Sequence, residues 1–244
     1  MKSSIRLAAA AIVATVLMAQ SCRAEPPHAL SDALIRYAKL DYAKAHELLS
    51  PLAGQGNAVA QEILGFMYAH GEGIQRDEAI AFHWFTLAAE AGRTEAQLEL
   101  GRMYRDGVGV MPDGKAALLW FRRAAERGAT EACNSVGELY LGQSGIPADD
   151  QAALAWFFRA AERGSARAMY NIGLRYAEGQ GVDRDEIEAF KWFVLAYGDA
   201  VGGLRDSAAR ARFDLATRLM PAQVQIGLVR ARNWTQTHRA DEVQ

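Results

Sequence analysis

Apolar and small residues recur along this chain at two superimposed periods. The short one is helical: Ala60, Leu64 and Tyr68 fall at i, i+4 and i+8, on one face at 3.6 residues per turn. The long one is a strict step of 36 residues, which carries Trp84 to Trp120, Trp156 and Trp192, each followed by phenylalanine (Phe85, Phe121, Phe157, Phe193). Gly65, Gly101, Gly137 and Gly173 keep the same step, as do Tyr68, Tyr104, Tyr140 and Tyr176, and Ala60, Ala96, Ala132 and Ala168. Columns of aspartate (Asp41, Asp77, Asp113, Asp149, Asp185) and alanine (Ala45, Ala81, Ala117, Ala153, Ala189) reach one unit further towards the N-terminus. So many columns in register without an insertion define a repeat array.

The pattern predicts two helices per unit. In residues 58–93 the first helix runs from Ala58 to His70, with Gly65 on its inner face to admit a neighbouring backbone. Gly71-Glu72-Gly73-Ile74 then breaks it, because glycine reaches the left-handed dihedrals of a tight reversal. Asp77 is placed to cap the second helix, which turns Ala81, Trp84, Phe85, Ala88 and Ala89 inward and ends at Gly92. Residues 94–129, 130–165 and 166–201 repeat this plan. In the third, Gln143 replaces the first loop glycine, so its reversal is expected to differ. In the fourth, Ala200 stands where the closing glycine would fall.

The flanking segments are atypical, as array ends must be. Residues 25–57 read as a terminal helix pair, Ala29–Leu40 and Asp41–Ala53, with Pro51 inside the second and Gly56 after it. Residues 202–237 read as a C-terminal cap. It has a charged helix over Leu204–Leu219 and a last helix opened by Pro221, whose missing donor costs nothing there. Val224, Leu228, Ala231 and Trp234 form the expected apolar stripe, and residues 238–244 a polar, fraying tail. A single helix pair is too small to bury its own core. Stacking is therefore required, with the Trp-Phe edge of one unit expected on the alanine face of the next.

Residues 1–24 have the form of an export signal. Lys2 and Arg6 precede a short uncharged apolar run, Leu7 to Met18, and Ser21 and Ala24 supply small residues for cleavage before Glu25. The alternative is a lipoprotein signal acylated at Cys22. The apolar run is shorter than the ~20 residues that span a bilayer. Cleavage after Ala24 would remove Lys2, Arg6 and Arg23 and take the net charge from −2 to −5. That acidity argues against nucleic acid as a partner. It would also leave Cys133 as the one thiol, so an internal disulfide framework is excluded and an inert, partly buried thiol expected.

The run Ala96-Gln97…Leu100-Gly101…Tyr104…Gly107-Val108-Gly109-Val110…Asp113…Ala117…Trp120-Phe121…Ala124-Ala125-Glu126-Arg127-Gly128 resembles the Sel-one-like repeat family of tetratricopeptide-like hairpins. Asp41-Tyr42-Ala43-Lys44-Ala45 near the start and Leu219-Met220-Pro221-Ala222-Gln223 near the end are similar to that family's terminal units. The resemblance covers nearly all of residues 29–237. It implies an all-α fold, a right-handed α-solenoid of stacked antiparallel helix pairs with a concave face, used by relatives to assemble protein complexes and in bacteria to tune envelope signalling. Fold alone does not set function.

Catalytic and cofactor motifs are missing. There is no His-Glu-x-x-His, Cys-x-x-Cys or acidic calcium loop, and no serine followed three residues later by lysine. The five histidines occupy different repeat positions and build no ladder of ligands. The Gly-x-Gly turns lack the third glycine, the Lys-Ser/Thr pair and the preceding strand of nucleotide loops. No catalytic residue, metal or cofactor is therefore assigned. What varies between units is a line along the first helix, at positions 59, 63, 66 and 70 and their equivalents. It yields an expected partner-binding set of Phe66, Glu99, Arg102, Asp106, Ser135, Glu138, Asn171 and Leu174, with Val59, Ile63 and Phe66 as an apolar patch. The expectation is a monomeric, non-catalytic periplasmic or secreted scaffold. It would hold a segment or domain of another envelope protein, with a lipid-anchored assembly factor as the alternative. A cell-wall or β-lactam hydrolase, proposed for cysteine-rich relatives, lacks here the cysteines that clamp those helix pairs.

Overall fold

The computed structural model describes residues 28–241, so the segment read as an export signal, Cys22, residues 25–27 and the end of the expected tail, 242–244, lie outside the described residues. Among those described, twelve helices and no strands are formed. They fall into two compact units, one up to Pro112 and one from Asp113. The first holds α1 (His28–Ala38), α2 (Tyr42–Gly54), α3 (Ala58–His70), α4 (Glu78–Glu90) and α5 (Thr94–Asp106). The second holds α6 (Gly114–Glu126), α7 (Thr130–Leu139), α8 (Asp150–Ala161), α9 (Ala166–Glu178), α10 (Glu186–Asp199), α11 (Gly202–Arg218) and α12 (Pro221–Asp241). Within each unit successive helices pack on one another as stacked pairs, and the last two both lie against α10.

Local chemistry explains where the helices begin and stop. The carboxylates of Asp77, Asp113, Asp149 and Asp185 accept first-turn backbone N–H groups at 2.9–3.1 Å. Each such cap contributes ~1 kcal/mol. Asp41, the fifth member of the column, departs from this: it takes no first-turn N–H and accepts from Arg36 at 3.2 Å. Gly71, Gly107 and Gly179 end their helices in the left-handed region, at φ 70°, 70° and 71°. The third unit differs as Gln143 predicts. Helix α7 stops at Leu139, and the reversal passes through positive φ at Gly142, Ser144 and Gly145.

The core rests on a contact that the column pattern points to but does not specify. A Cβ added to Gly65 would lie 2.7 Å from the Phe85 ring, one on Gly137 2.5 Å from Phe157, and one on Gly173 2.7 Å from Phe193. What the glycine admits is thus a ring from the second helix of its own pair, not a neighbouring backbone. Phe85, Phe121, Phe157 and Phe193 are all fully buried, whereas Trp84 and Trp156 are only half-buried. Trp120 and Trp192 are buried, so the phenylalanines fill every repeat and the tryptophans only some. Trp84 packs on the cluster built by α1, α2 and α3, which includes Leu49 and Leu64. It thus reaches the preceding helix pair as well as the first helix of its own.

The C-terminal cap closes on α10 through Val224, Ala231 and Trp234 of the expected stripe, with Gly227 turned inward in place of Leu228. Gly227 is buried, with the Phe190 ring 2.6 Å from where its Cβ would stand, and Ala231 is buried beside it. Leu228 remains 37% exposed. The Lys191 ammonium lies 4.4 Å from the Trp192 ring centre and 5.2 Å from that of Trp234, and pairs with Glu188 at 2.6 Å. Arg230 reaches the same Glu188 at 3.0 Å, tying α12 to α10. Helix α12 continues to Asp241, beyond the point where fraying was expected, and His238 stacks on Trp234 at 3.8 Å.

The glycine–phenylalanine contact makes Gly137→Ala destabilising by up to roughly 2 kcal/mol, because ~1–3 kcal/mol of overpacking is set against ~1 kcal/mol of gained helix propensity. Phe157→Leu makes room, so in that background Gly137→Ala should cost much less or stabilise. Urea melts of the four-protein cycle measure this; an equal cost in both backgrounds would remove the ring as the constraint.

Candidate interaction surface on the first helix of each repeat

Chemistry-bearing side chains are dispersed into local contacts. Among the described residues no group of three or more His, Cys, Asp or Glu gathers as a metal site. Cys133 is buried and accepts from Arg163 Nη1 at 2.9 Å. His46 contacts the Tyr68 hydroxyl at 3.3 Å, and His70 contacts the Phe66 carbonyl at 2.8 Å. No helix among the described residues is long and apolar enough to cross a membrane.

In the first unit the structure brings Glu99, Arg102 and Asp106 together along α5, where they line a cavity of about 210 Å³ with His70, Arg76 and Phe85. Arg102 pairs with Glu99 one turn away. Arg105 grips Asp106 with two hydrogen bonds, 2.7 and 2.8 Å, and these hold the Asp106 carboxyl below the usual carboxylate range. Phe66 is half-buried, edge-on to Phe85 at 5.0 Å and stacked with His70 at 6.1 Å. Its neighbour in the expected apolar patch, Ile63, belongs to the core and offers no surface.

In the second unit α7 and α9 carry a polar strip. The Asn134 amide donates to Glu138 at 3.1 Å, Asn171 donates to the Asn134 carbonyl oxygen at 3.4 Å, and Arg167 reaches Glu138 at 3.5 Å. Ser135 is buried beside Asn134. Leu174 packs against the cluster around Phe190 and Phe193 instead of facing outward freely. Asn134, the hub of this strip, was not singled out by the sequence pattern. The available signal was its column, which reads Glu62, Leu98, Asn134, Tyr170 and so places a polar residue where the fold does not demand one.

The same column hides a buried charge. The residues that precede the first helices are Asn57, Arg93, Ala129 and Ser165. Asn57 and Ser165 cap their own helices, accepting from Ala60 and Ala168 at 3.0 and 3.2 Å. Arg93 has no acceptor to offer. Glu62, fully buried in the preceding repeat, supplies one to the Ala96 N–H at 3.3 Å. Its other oxygen takes Arg93 Nε and Nη2 at 3.1 and 2.5 Å. The carboxylate therefore caps a helix in the next repeat, and the arginine compensates its charge. An Arg at a capping position and a Glu in an otherwise buried column, 31 residues apart, are the sequence trace.

Stacked helix pairs with interlocked Gly-Phe contacts define an α-helical repeat protein. The chain belongs to the Sel1 repeat family, whose model matches residues 58–92, 94–128, 130–165 and 166–197. Members of this family act typically as protein-interaction scaffolds. The structure is similar to that of a protective antigen present in uropathogenic Escherichia coli strains that displays an SLR fold, with 30% identity over 81% of this chain and a TM-score of 0.71. The chain spans only 42% of that antigen's length. It is also similar to a Sel1 repeat protein from Oxalobacter formigenes, with 28% identity over 81% of this chain and 88% of that one and a TM-score of 0.66. Comparison with curated proteins returns no match.

Removing the Glu62 carboxylate leaves Arg93 without its partner and Ala96 N–H without an acceptor. Glu62→Ala should therefore cost roughly 3 kcal/mol, and Glu62→Gln, which keeps an acceptor, roughly 1–2 kcal/mol. Denaturant midpoints check the order; a Glu62→Ala protein that melts like the native one would exclude the cross-repeat cap.

Proposed function

We propose that this chain is an exported, non-catalytic scaffold that holds a segment or domain of another envelope protein against the first helices of its repeats. The observation that carries the reading is the fixed polar strip: Asn134, Glu138 and Asn171 in the second unit, and Glu99, Arg102 and Asp106 in the first, are oriented by hydrogen bonds and ion pairs before any partner arrives. Ordered polar groups bind at lower entropic cost than mobile ones. Lys2 and Arg6 ahead of the Leu7–Met18 run support export. Cys22 supports a second reading, in which the same scaffold is anchored by lipid.

Affinity capture from envelope extract, with the native protein beside a Glu99→Lys, Glu138→Lys variant that still melts cooperatively, tests the surface. One protein should be enriched by the native form and lost by the variant; equal capture by both would move the site off these helices. Mass spectrometry of the exported protein tests the leader. A free N-terminus at Glu25 is the expected product, and a diacylated Cys22 would replace it by the anchored form.

A further inference from the structure

Helix α6 breaks the charge plan of its counterparts. Residues 114–127 hold Lys115, Arg122, Arg123 and Arg127 against Glu126 alone, a net charge of +3, whereas residues 78–91, 150–163 and 186–199 carry −2, 0 and −2. In an array whose equivalent helices serve one structural plan, such a departure is not required by the fold. Aligned peptide dipoles account for Arg123 and Arg127 at the C-terminal end of α6, but they disfavour a cation in the first turn, where Lys115 stands. The equivalent helices place Glu78, Asp150 and Glu186 in that turn.

The geometry of this face favours a ligand. Lys115, Arg122, Arg123 and Arg127 are exposed, and among the described residues no carboxylate pairs with them. The Arg123 guanidinium is held 4.6 Å above the Trp120 ring, which orders it with its donors free. Leu119 is 49% exposed beside the half-buried Leu118, and a shallow groove of about 380 Å³ runs between these leucines and Lys115, Arg122 and Arg123. From Lys115 to Arg127 the helix extends roughly 18 Å, about three turns.

We propose that α6 is a second docking surface, distinct from the polar strip, which takes an acidic amphipathic helix of a partner protein. Its four cations meet the carboxylates of that helix, and Leu118 and Leu119 receive its apolar stripe. Charge complementarity selects the occupant. Glu126 within the face and two leucines across it suit a peptide better than a phosphate polymer, which gains from an unbroken run of cations.

Selection of random peptides, long enough for three or four helical turns, on the immobilised protein is the test, followed by fluorescence anisotropy with the winning sequences. The enriched peptides should combine acidic and apolar residues at helical spacing. Their affinity should fall about tenfold or more in Lys115→Glu, Arg122→Glu. It should fall several-fold in Leu119→Gln, and stay unchanged in Arg210→Glu on α11. The Glu99→Lys, Glu138→Lys variant should bind them normally, which separates this surface from the strip whatever becomes of the latter. A selection that enriches no acidic peptides, or acidic peptides bound equally by the double variant or lost equally in Arg210→Glu, would overturn the proposal. So would binding confined to phosphatidylglycerol–phosphatidylethanolamine vesicles and lost with Lys115 and Arg122.

Discussion

The Phe157 ring lies where the Cβ of any larger residue at 137 would have to be, and the same exclusion recurs at Gly65 against Phe85 and Gly173 against Phe193. Much of the array depends on this interlock. It sets how closely the two helices of a pair approach, and it buries the ring completely. Close approach also explains the alanines on the facing stripes, since interiors packed near crystal density leave no room for longer side chains there. A helix pair with this seam is still too small to stand alone, so each pair must offer its other faces to the next.

Once the seam and the aspartate caps hold the repeat, other positions are released from structural duty, and the departures become informative. Arg93 stands where Asn57 and Ser165 cap their helices, and the lost cap is restored from the preceding repeat by Glu62. Asn134, in the same column as Glu62, turns instead towards Glu138 and Asn171. Helix α6 trades the first-turn acid of its counterparts for Gly114, where the Ser144 carbonyl oxygen comes within 2.0 Å of an added Cβ, and then adds Lys115. The first of these departures is repaired inside the fold. The charge on α6 is not, and this singles it out as a surface feature.

The cap shows how the array ends without another repeat. Phe190 meets the buried Gly227, and Lys191 sits over two tryptophan rings while sharing Glu188 with Arg230. A cation over aromatic faces, neutralised by a half-shielded carboxylate, is a stronger tie than an isolated surface ion pair. It joins α12 to α10 where no following repeat could.

Helix number, four of the five aspartate caps, the reversals and the odd third turn were legible in the sequence, because each is decided by a few consecutive residues. Left-handed glycines and aspartate caps act within one turn of chain, and a column repeated at a constant step of 36 residues averages out local ambiguity. The helix-lining surface was legible only as a line of variable positions. Whether such a position faces outward depends on two neighbouring helices, and so Ile63 and Ser135 proved buried while Glu99 and Arg102 line a cavity. Tertiary structure alone decided the pairings across helices: Gly137 with Phe157, Glu62 with Arg93, Asn134 with Asn171. The physical reason is that each depends on the distance and rotation between two helices, and the periodicity of either helix by itself carries neither quantity.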